Sequence, residues 1–340
     1  MRFVFITGIT NLNKTSIIDD LNNLSDLSLY SSYGTLLGFT REEVEQYFGD
    51  HLTRAAEVLN MEKSKLMEEL VDYYDGYCFD EKTSRKVFAP WSLLNFLSYP
   101  ESGFRDYWVE SGGNPTALLQ YMDSPSLVNP EEFGKEKYVA LNVLNASTWS
   151  DDLSDVGLLT QTGYLTLKKV VGSTAIVWFP NAEVRTSMAQ LYLEMLLNGK
   201  TAEQVEAGGI VSALGSETSG SVIQKLNNLF NGIVYEKYPV IHEATVRAYV
   251  QVYLAAAGVK FNPEESDQVR SDLEVTSGNR LWVFEFKTIK ENESAEEKLQ
   301  EAINQIVERD YGNPTEHQEL KKVAMVFSLE ARKFVKWAEV

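Results

Sequence analysis

The chain has little of what a disulfide-bonded, zinc-thiolate or membrane-spanning protein needs. Cys78 is its only cysteine, so it forms neither an internal disulfide bond nor a cluster of thiols for zinc. No apolar run reaches the length that spans a membrane. The apolar segment 3–9 is short and follows a single arginine, which does not fit a signal peptide. We therefore expect a cytoplasmic protein without a membrane partner.

Positive charge is also scarce. The 31 lysine and arginine residues stand against 49 aspartate and glutamate residues, which gives a net charge of −18. Non-specific binding of nucleic acid depends on neutralising phosphates, so this balance disfavours it without excluding a local basic groove. Any action on a polyanionic substrate would need a divalent cation to offset the repulsion, and a protein partner could deliver that substrate.

Phosphate-binding loops and histidine clusters are missing as well. The chain contains no G-x-x-x-x-G-K-[ST] motif, and its nearest echo, residues 199–201, has Glu194 where the first glycine is required. We therefore predict no ATP-binding residues and no small-molecule cofactor. The histidines are far apart in sequence and are expected to be structural or exposed rather than metal ligands: His51, His242 and His317.

A predicted β-hairpin at residues 268–289 is the most informative stretch. Residues 269–275 alternate in polarity, residues 281–289 form a second strand, and Gly278-Asn279 fits a two-residue turn with glycine first. Counting outward from that turn places Asp272 opposite Glu285, on a pair without backbone hydrogen bonds, where side chains are closest. The same register places Arg270 opposite Lys287.

Two carboxylates that face each other repel, and a shared cation is the usual reason to tolerate the pair. Carboxylate oxygens suit Mg²⁺ or Mn²⁺. Lys287 is two residues from Glu285 and shares its face of the strand. Such a set can hold a metal ion and lower the pKa of a bound water in line with a phosphorus atom. The alternative is a half-exposed hairpin with ordinary surface charges. The opposite face would carry Trp282, Phe284 and Phe286.

The pattern Asp272 … Glu285-Phe286-Lys287 resembles the D…ExK signature of the PD-(D/E)xK nuclease superfamily. Its surroundings fit the restriction-endonuclease-like order αβββαβ. A helix is predicted over 238–257, a strand near 260–265, then the hairpin, a helix opened by a capping box at Ser294, and a buried strand over 323–327. A last short helix is expected after that strand.

This resemblance implies roles for the residues that carry it. Asp272 and Glu285 would bind Mg²⁺ or Mn²⁺, with the backbone carbonyl of Phe286 as a third ligand. Lys287 would orient or deprotonate the attacking water. The substrate would be a nucleic acid, and DNA by resemblance.

Further residues match acidic or polar positions of the superfamily. Glu243 would add a metal ligand, although an ion pair with Arg247 explains it nearly as well. Gln305 matches the A-x-x-Q-I segment and could contact a phosphate or the metal's surroundings, and Arg270 could pair with a substrate phosphate. Glu264 or Glu265 matches another acidic position, for which a solvated charge is the simpler reading. Val269 replaces the usual glycine before Arg-x-Asp, which adds bulk near the substrate path without removing a ligand.

A second resemblance covers the rest of the chain. The blocks GFTREEVEQYF, YYDGYCF, FAPWSLLNFL, YWVESGGN and LLTQTGYLTL…WFPNAEVRTSM are similar to successive blocks of the bacterial AAA-ATPase-like family. Members of that family join an ATPase-like module to a C-terminal PD-(D/E)xK nuclease domain. The segment with the phosphate loop precedes the first strand in that family and is absent from this sequence. ATP hydrolysis by this chain alone is therefore not expected.

These observations predict an α+β or α/β multidomain protein. Residues 1–125 would be a mostly helical, ATPase-lid-like remnant, and 126–205 a winged-helix-like unit with a hairpin at 163–169 and 175–179 and with Asn181 capping the next helix. Residues 206–227 would be a linker and lead-in helix with Gly/Ser-rich loops at 207–209 and 215–221, and 228–340 the nuclease-like domain. With few basic residues, the winged-helix-like unit favours docking or packing over DNA binding.

Three functions remain open at this point. The first is a metal-dependent phosphodiesterase, and the second is a non-catalytic interaction or regulatory protein that uses a nuclease fold as a scaffold. The third, an ATP-driven machine, would need the phosphate-loop segment. The sequence does not distinguish DNA from RNA, and it gives neither substrate specificity, oligomeric state nor biological role.

Overall fold

A computed structural model of the chain describes the following residues: 25–108, 129–144, 154–202, 204, 207–261 and 271–340. The chain divides into two compact units, the first within 1–127 and 136–187, the second within 128–135 and 188–340. Several predictions lie outside the described residues: the strand at 3–9 and the roles of Glu264, Glu265, Val269 and Arg270.

Short helices form most of the first unit. In the described part they are α1 (Arg41–Tyr47), α2 (Gly49–Val58), α3 (Lys63–Tyr74), α4 (Pro90–Ser98), α5 (Leu141–Leu144), α6 (Asp155–Gln161) and the start of α7 (Ala182–Leu196). Helix α1 begins with the predicted capping box, in which the Glu43 amide donates to Thr40 Oγ1 and the Thr40 amide donates to Glu43 Oε2. Leucine and aromatic side chains from α2, α3 and α4 form one apolar core beneath these helices.

A three-stranded antiparallel sheet completes the first unit. Its strands are β1 (Lys137–Ala140), β2 (Thr166–Val171) and β3 (Thr174–Trp178), in the order β1-β3-β2. The structure thus contains the predicted hairpin and adds β1, which the sequence did not reveal. Asn181 caps α7 as predicted, since its Oδ1 accepts a hydrogen bond from the Val184 amide at 3.0 Å. The winged-helix-like assignment stays a prediction.

A buried carboxyl group ties this unit together. Glu183 Oε1 accepts hydrogen bonds from the amides of Tyr107 at 2.7 Å and Trp108 at 2.9 Å. The side chain is almost completely buried. Burial raises the pKa of Glu183 to about 8, although the Ser92 hydroxyl and the two amides act to lower it. Ionisation of Glu183 therefore destabilises the unit.

We expect Glu183→Gln to change how stability depends on pH. A carboxyl group whose folded pKa is raised stabilises the protein below its ordinary pKa, and that contribution is lost as the pH rises through about 8. The free energy of unfolding of the wild type should therefore fall by about 2–4 kcal/mol from this group between about pH 5 and pH 8, and the variant should lack this loss. Urea denaturation at both pH values measures it. An equal change in the free energy of unfolding between the two pH values in wild type and variant would contradict the expectation.

The second unit is built on a five-stranded sheet in the order β4-β5-β6-β7-β8. Strands β6 and β7 are parallel, and the other neighbours are antiparallel. The strands are β4 (Lys260–Phe261), β5 (Leu273–Ser277), β6 (Arg280–Ile289), β7 (Glu319–Ser328) and β8 (Lys333–Glu339). The helices are α8 (Gly208–Ser216), α9 (Ser219–Gly232), α10 (Glu243–Ala256) and α11 (Ala295–Arg309). The order α10-β4-β5-β6-α11-β7 is the predicted αβββαβ.

Two sequence predictions about this unit are wrong. The Gly/Ser-rich segments 207–209 and 215–221 were expected to be loops, but most of their residues belong to α8 and α9. Thr218 Oγ1 accepts from the Ser221 amide and starts α9, while the Leu214 carbonyl of α8 accepts from the buried Trp282 indole at 2.9 Å. Packing of α8 therefore outweighs the roughly 1 kcal/mol that each glycine costs a helix.

The last element was expected to be a short helix and is strand β8. Its residues pair in antiparallel register with β7, and Phe334 packs against Phe327 and Phe286. Alanine, lysine and glutamate in this stretch favour a helix only weakly. Pairing with the edge of β7 and burial of Phe334 decide the strand.

The two faces of β6 differ in character. Trp282, Phe284 and Phe286 stack on one face, with successive ring centroids 5.7 and 6.3 Å apart, as predicted. Val283 and Ile289 lie on the other face and pack with the apolar side of α11. Glu285 and Lys287 are on this second face because side chains alternate along a strand. The pair Glu285 and Lys287 thus lies within an otherwise apolar face.

Candidate active site

The β5–β6 hairpin has the register that the sequence predicted. Ser277 pairs with Arg280 across the Gly278-Asn279 turn, and the ladder continues without a shift to Leu273 opposite Phe284. Gly278 has a φ of +59°, which suits a turn that needs glycine at its first central position. Asp272 is the next residue beyond this ladder, so it comes to the position facing Glu285 just as β5 begins.

The side chain of Asp272 supplies the hydrogen-bond acceptor that a neighbouring strand would otherwise offer to the Phe286 amide. Its Oδ2 accepts a hydrogen bond from the Phe286 amide at 2.8 Å, and its Oδ1 lies 3.6 Å from Nη1 of Arg247 on α10. Burial raises the pKa of Asp272, although the Phe286 amide and the charges of Arg247, Lys287 and Arg309 act to lower it. The carboxylate is thus fixed by the backbone of β6 and surrounded by positive charge.

Lys287 connects the carboxylate of the strand to that of the helix. Its Nζ lies 3.0 Å from Glu285 Oε1 and 3.6 Å from Glu243 Oε1, at the first residue of α10. Burial acts to lower the pKa of Lys287, but the neighbouring Glu243 and Glu285 outweigh it and raise the pKa above the ordinary value. Lys287 is therefore an ammonium ion at neutral pH.

Glu285 is the most deeply buried charge of the group. Its side chain is 1% exposed, and its Oε2 has no hydrogen-bond partner among the described residues. Burial and the nearby Asp272 charge raise the pKa of Glu285 to about 7, against the lowering effect of Lys287. A carboxylate oxygen that is buried without a partner costs free energy.

The residues fit a hard divalent cation in chemistry, without forming a finished cage. Asp272, Glu285 and Glu243 offer oxygen ligands of the type that Mg²⁺ and Mn²⁺ prefer. The Phe286 carbonyl points to the same side as its amide, toward Asp272, because both groups of a strand residue face one neighbour. Within the described residues, however, no three acidic, histidine or cysteine side chains are close enough to form a ready metal site. A cation would have to draw the carboxylates together against Arg247 and Lys287.

Gln305 lies on α11 and contacts Tyr311. Its Nε2 donates to the Tyr311 hydroxyl at 3.2 Å, and Arg309 Nη1 donates to the same oxygen at 3.0 Å. Arg309 is near enough to Asp272 to lower its pKa. The proposed direct contact of Gln305 with metal or phosphate stays a prediction, and the structure shows that Gln305 supports Tyr311. Arg270 lies outside the described residues.

The sequence did not predict that two arginines, Arg247 and Arg309, lie near Asp272. Arg247 was considered only as a partner of Glu243, because the two residues are one helical turn apart; in the structure it pairs with Asp272 instead. Arg309 is the basic residue in the last turn of α11 and follows Gln305 by four positions. No sequence pattern indicates that either residue approaches Asp272, since the approach depends on how α10 and α11 pack on the sheet.

A comparison with protein families agrees with this geometry. The model described as the PD-(D/E)XK nuclease superfamily matches residues 241–337. The match contains α10, the hairpin, α11, β7 and most of β8. These residues form a PD-(D/E)XK nuclease superfamily domain. The nuclease-superfamily domain thus includes Glu243, Asp272, Glu285 and Lys287, whose individual roles stay predictions.

One curated relative covers most of the chain. It is the "Uncharacterized protein in vnfD 5'region" of Azotobacter chroococcum mcd 1, which is 26% identical over 298 residues. The alignment covers 85% of this chain and 54% of the relative, so the chain spans about half the length of that protein. No solved structure matches the chain. The likeness of the N-terminal blocks to the AAA-ATPase-like family stays a prediction.

The helices were also compared with the requirements of a lipid bilayer. Among the described residues, none is both long enough and apolar enough to cross one.

Proposed function

We propose that the protein is a metal-dependent phosphodiesterase that hydrolyses nucleic acid, with DNA as the preferred class of substrate. The observation that carries this proposal is the buried Glu285, coupled to Asp272 and Lys287 inside a nuclease-superfamily domain. The Oε2 of Glu285, unpartnered within the part of the chain that the structure describes, supports the proposal, because a divalent cation bound beside Asp272 would satisfy this oxygen.

The reaction assigned to this site is attack of water on phosphorus. The water oxygen forms the new P–O bond and gives up a proton to solvent, the bond to the leaving sugar oxygen breaks, and that oxygen takes up a proton from solvent. When bound, Mg²⁺ or Mn²⁺ would polarise the phosphate and lower the pKa of the water. Asp272 and Glu285 would hold the ion, with the Phe286 carbonyl and Glu243 as further oxygen ligands. Asp272 already contacts the Phe286 amide, and Glu243 and Glu285 both contact Lys287 Nζ.

Lys287 has a different role from the carboxylates. With its raised pKa it carries a positive charge and donates protons in hydrogen bonds. In this state it orients the attacking water and stabilises the negative charge that develops on the phosphate oxygens. The ion pairs with Glu243 and Glu285 hold the ammonium group in place for that role.

The test is a titration with Mn²⁺ or Mg²⁺, followed by calorimetry, together with cleavage assays on single- and double-stranded DNA and RNA. We expect Asp272→Asn to weaken metal binding at least ~10-fold, because it removes a charged ligand while its amide oxygen still accepts from Phe286. Asp310→Asn is the matched control, since Asp310 is 94% exposed and pairs with Lys322. Equal metal affinity in the wild type and in Asp272→Asn would contradict the ligand assignment.

A second function, a non-catalytic scaffold that retains the nuclease fold, has one observation in its favour. Asp272 is already paired with Arg247, and Lys287 with both glutamates, so the acidic groups have internal counter-ions. If calorimetry detects no metal binding to the wild type, and no nucleic acid is cleaved, the scaffold is the correct reading. The acidic charge of the chain would then suit a protein partner.

A further inference from the structure

Arg247 is a charged residue of the site that has no role in the reaction proposed above. It lies on α10 one turn after Glu243, and its guanidinium Nη1 is 3.6 Å from Asp272 Oδ1. Arginine pairs with carboxylates at about 2.7–2.9 Å when the two groups are optimally placed, so this contact is loose. The side chain is also 34% exposed, against 10% for Lys287. Arg247 is therefore the more accessible of these two cations.

Asp272 Oδ1 has two competing partners in the proposed reaction. Its other oxygen already accepts a hydrogen bond from the Phe286 amide, so Oδ1 has more capacity for a metal ion, and Oδ1 is the oxygen that faces Arg247. A guanidinium displaced from Oδ1 by the ion stays anchored on α10 beside the carboxylates. Its planar set of N–H donors matches the non-bridging oxygens of a phosphate.

The charge balance of the site also calls for such a residue. Glu243, Asp272 and Glu285 carry three negative charges when all are ionised, and Lys287 pairs with two of these residues. In a chain of net charge −18, a substrate phosphate next to this group needs a nearby cation that is free to turn toward it. Arg247 meets that need by position and by exposure.

We infer that Arg247 is a substrate-binding residue: it holds Asp272 until a divalent cation replaces it, and it then binds a phosphate of the nucleic acid strand beside the scissile bond. This inference rests on the proposed function. It assigns Arg247 opposite effects on the two ligands, since it competes with the metal and assists the nucleic acid.

The experiment compares the wild type with Arg247→Gln and Arg247→Lys. Mn²⁺ affinity is measured by calorimetry without nucleic acid, and kcat and KM are measured on a DNA substrate. We expect Arg247→Gln to bind Mn²⁺ as tightly as the wild type or a few-fold more tightly, and to raise KM about 10–100-fold, as for a lost charge-assisted hydrogen bond. The KM of Arg247→Lys should lie between those of the wild type and Arg247→Gln, because lysine keeps the positive charge but lacks the planar pair of N–H donors.

Arg280→Gln is the matched control. Arg280 is ion-paired with Glu319 at 2.9 Å and lies at the far end of β6, roughly 20 Å from Lys287 along the strand. It should lower stability to a similar degree without changing KM. Thermal unfolding of all variants separates loss of folding from loss of binding.

The outcomes distinguish failure of the inference about Arg247 from failure of the proposed nuclease function. Weaker Mn²⁺ binding in Arg247→Gln would show that Arg247 only positions Asp272, and a KM equal to the wild type would show that it does not bind substrate. Either result overturns the inference while the nuclease assignment stands. If the wild type itself binds no Mn²⁺ and cleaves no nucleic acid, the proposed function fails, and the inference fails with it.

Discussion

Replacing Lys287 by methionine should reduce metal-dependent cleavage by about three orders of magnitude while metal binding persists. A positioned ammonium that stabilises developing charge contributes on the order of 10²–10⁴-fold to a rate. Methionine keeps the apolar stem in a position whose side chain is only 10% exposed, and it removes the charge. Loss of the cation leaves Glu243 and Glu285 without their shared partner, so their attraction for a divalent ion should rise.

Lys290→Met is the control for this variant. Lys290 follows β6 directly and is exposed, and its side chain has no role in the proposed reaction. The measurements are single-turnover cleavage and calorimetry with Mn²⁺. A Lys287→Met variant that cleaves at the rate of the wild type would remove lysine from the reaction. One that loses metal binding as well as cleavage would point to a structural role.

The second large effect is expected from Glu285→Gln, which should abolish cleavage and yet leave the protein at least as stable at about pH 8. A glutamine at this position would keep the shape of the side chain but lose the charge that holds the metal ion. The same substitution removes a buried carboxylate whose Oε2 has no partner among the described residues, and whose burial costs roughly 1–3 kcal/mol. Lys287 retains Glu243 at 3.6 Å as a partner.

The stability change should depend on pH in a defined direction. The folded pKa of Glu285 is raised to about 7 from an ordinary value of 4.5, so its protonated form stabilises the fold below the ordinary pKa. That contribution, about 2–3 kcal/mol, is lost as the pH rises through about 7. The free energy of unfolding of the variant should therefore rise relative to that of the wild type between about pH 5 and pH 8, as measured by urea denaturation.

Glu291→Gln serves as the control, since Glu291 is exposed just beyond β6. It should match the wild type in cleavage and in the dependence of stability on pH. A Glu285→Gln variant that is less stable than the wild type at about pH 8 would show that Glu285 is retained for packing. Undiminished cleavage by that variant would exclude Glu285 as a metal ligand.

The hairpin could be predicted residue by residue because its determinants are local. The alternation of side chains and the Gly278-Asn279 turn lie within a few positions of each other, and they fix the register that places Asp272 next to Glu285. The capping of α11 by Ser294 and of α7 by Asn181 is equally local. These features need no knowledge of what packs against them.

The failures involve segments whose structure is decided by distant partners. Strand β8 forms because β7 offers an edge and Phe334 finds Phe327, while α8 forms although its sequence is rich in glycine and serine. Contacts of this kind override weak local propensities. Strand β1 was missed for the same reason, since it exists through its pairing with β3.

The sequence by itself determined which side chains share a face of the hairpin, and with them the carboxylate pair and its lysine. Only the tertiary structure decided how buried Glu285 is, that Glu243 reaches Lys287, and that Arg247 holds Asp272. The physical reason is that register follows from neighbouring residues along the chain. Burial and electrostatic coupling depend instead on how helices from other parts of the sequence pack on the sheet.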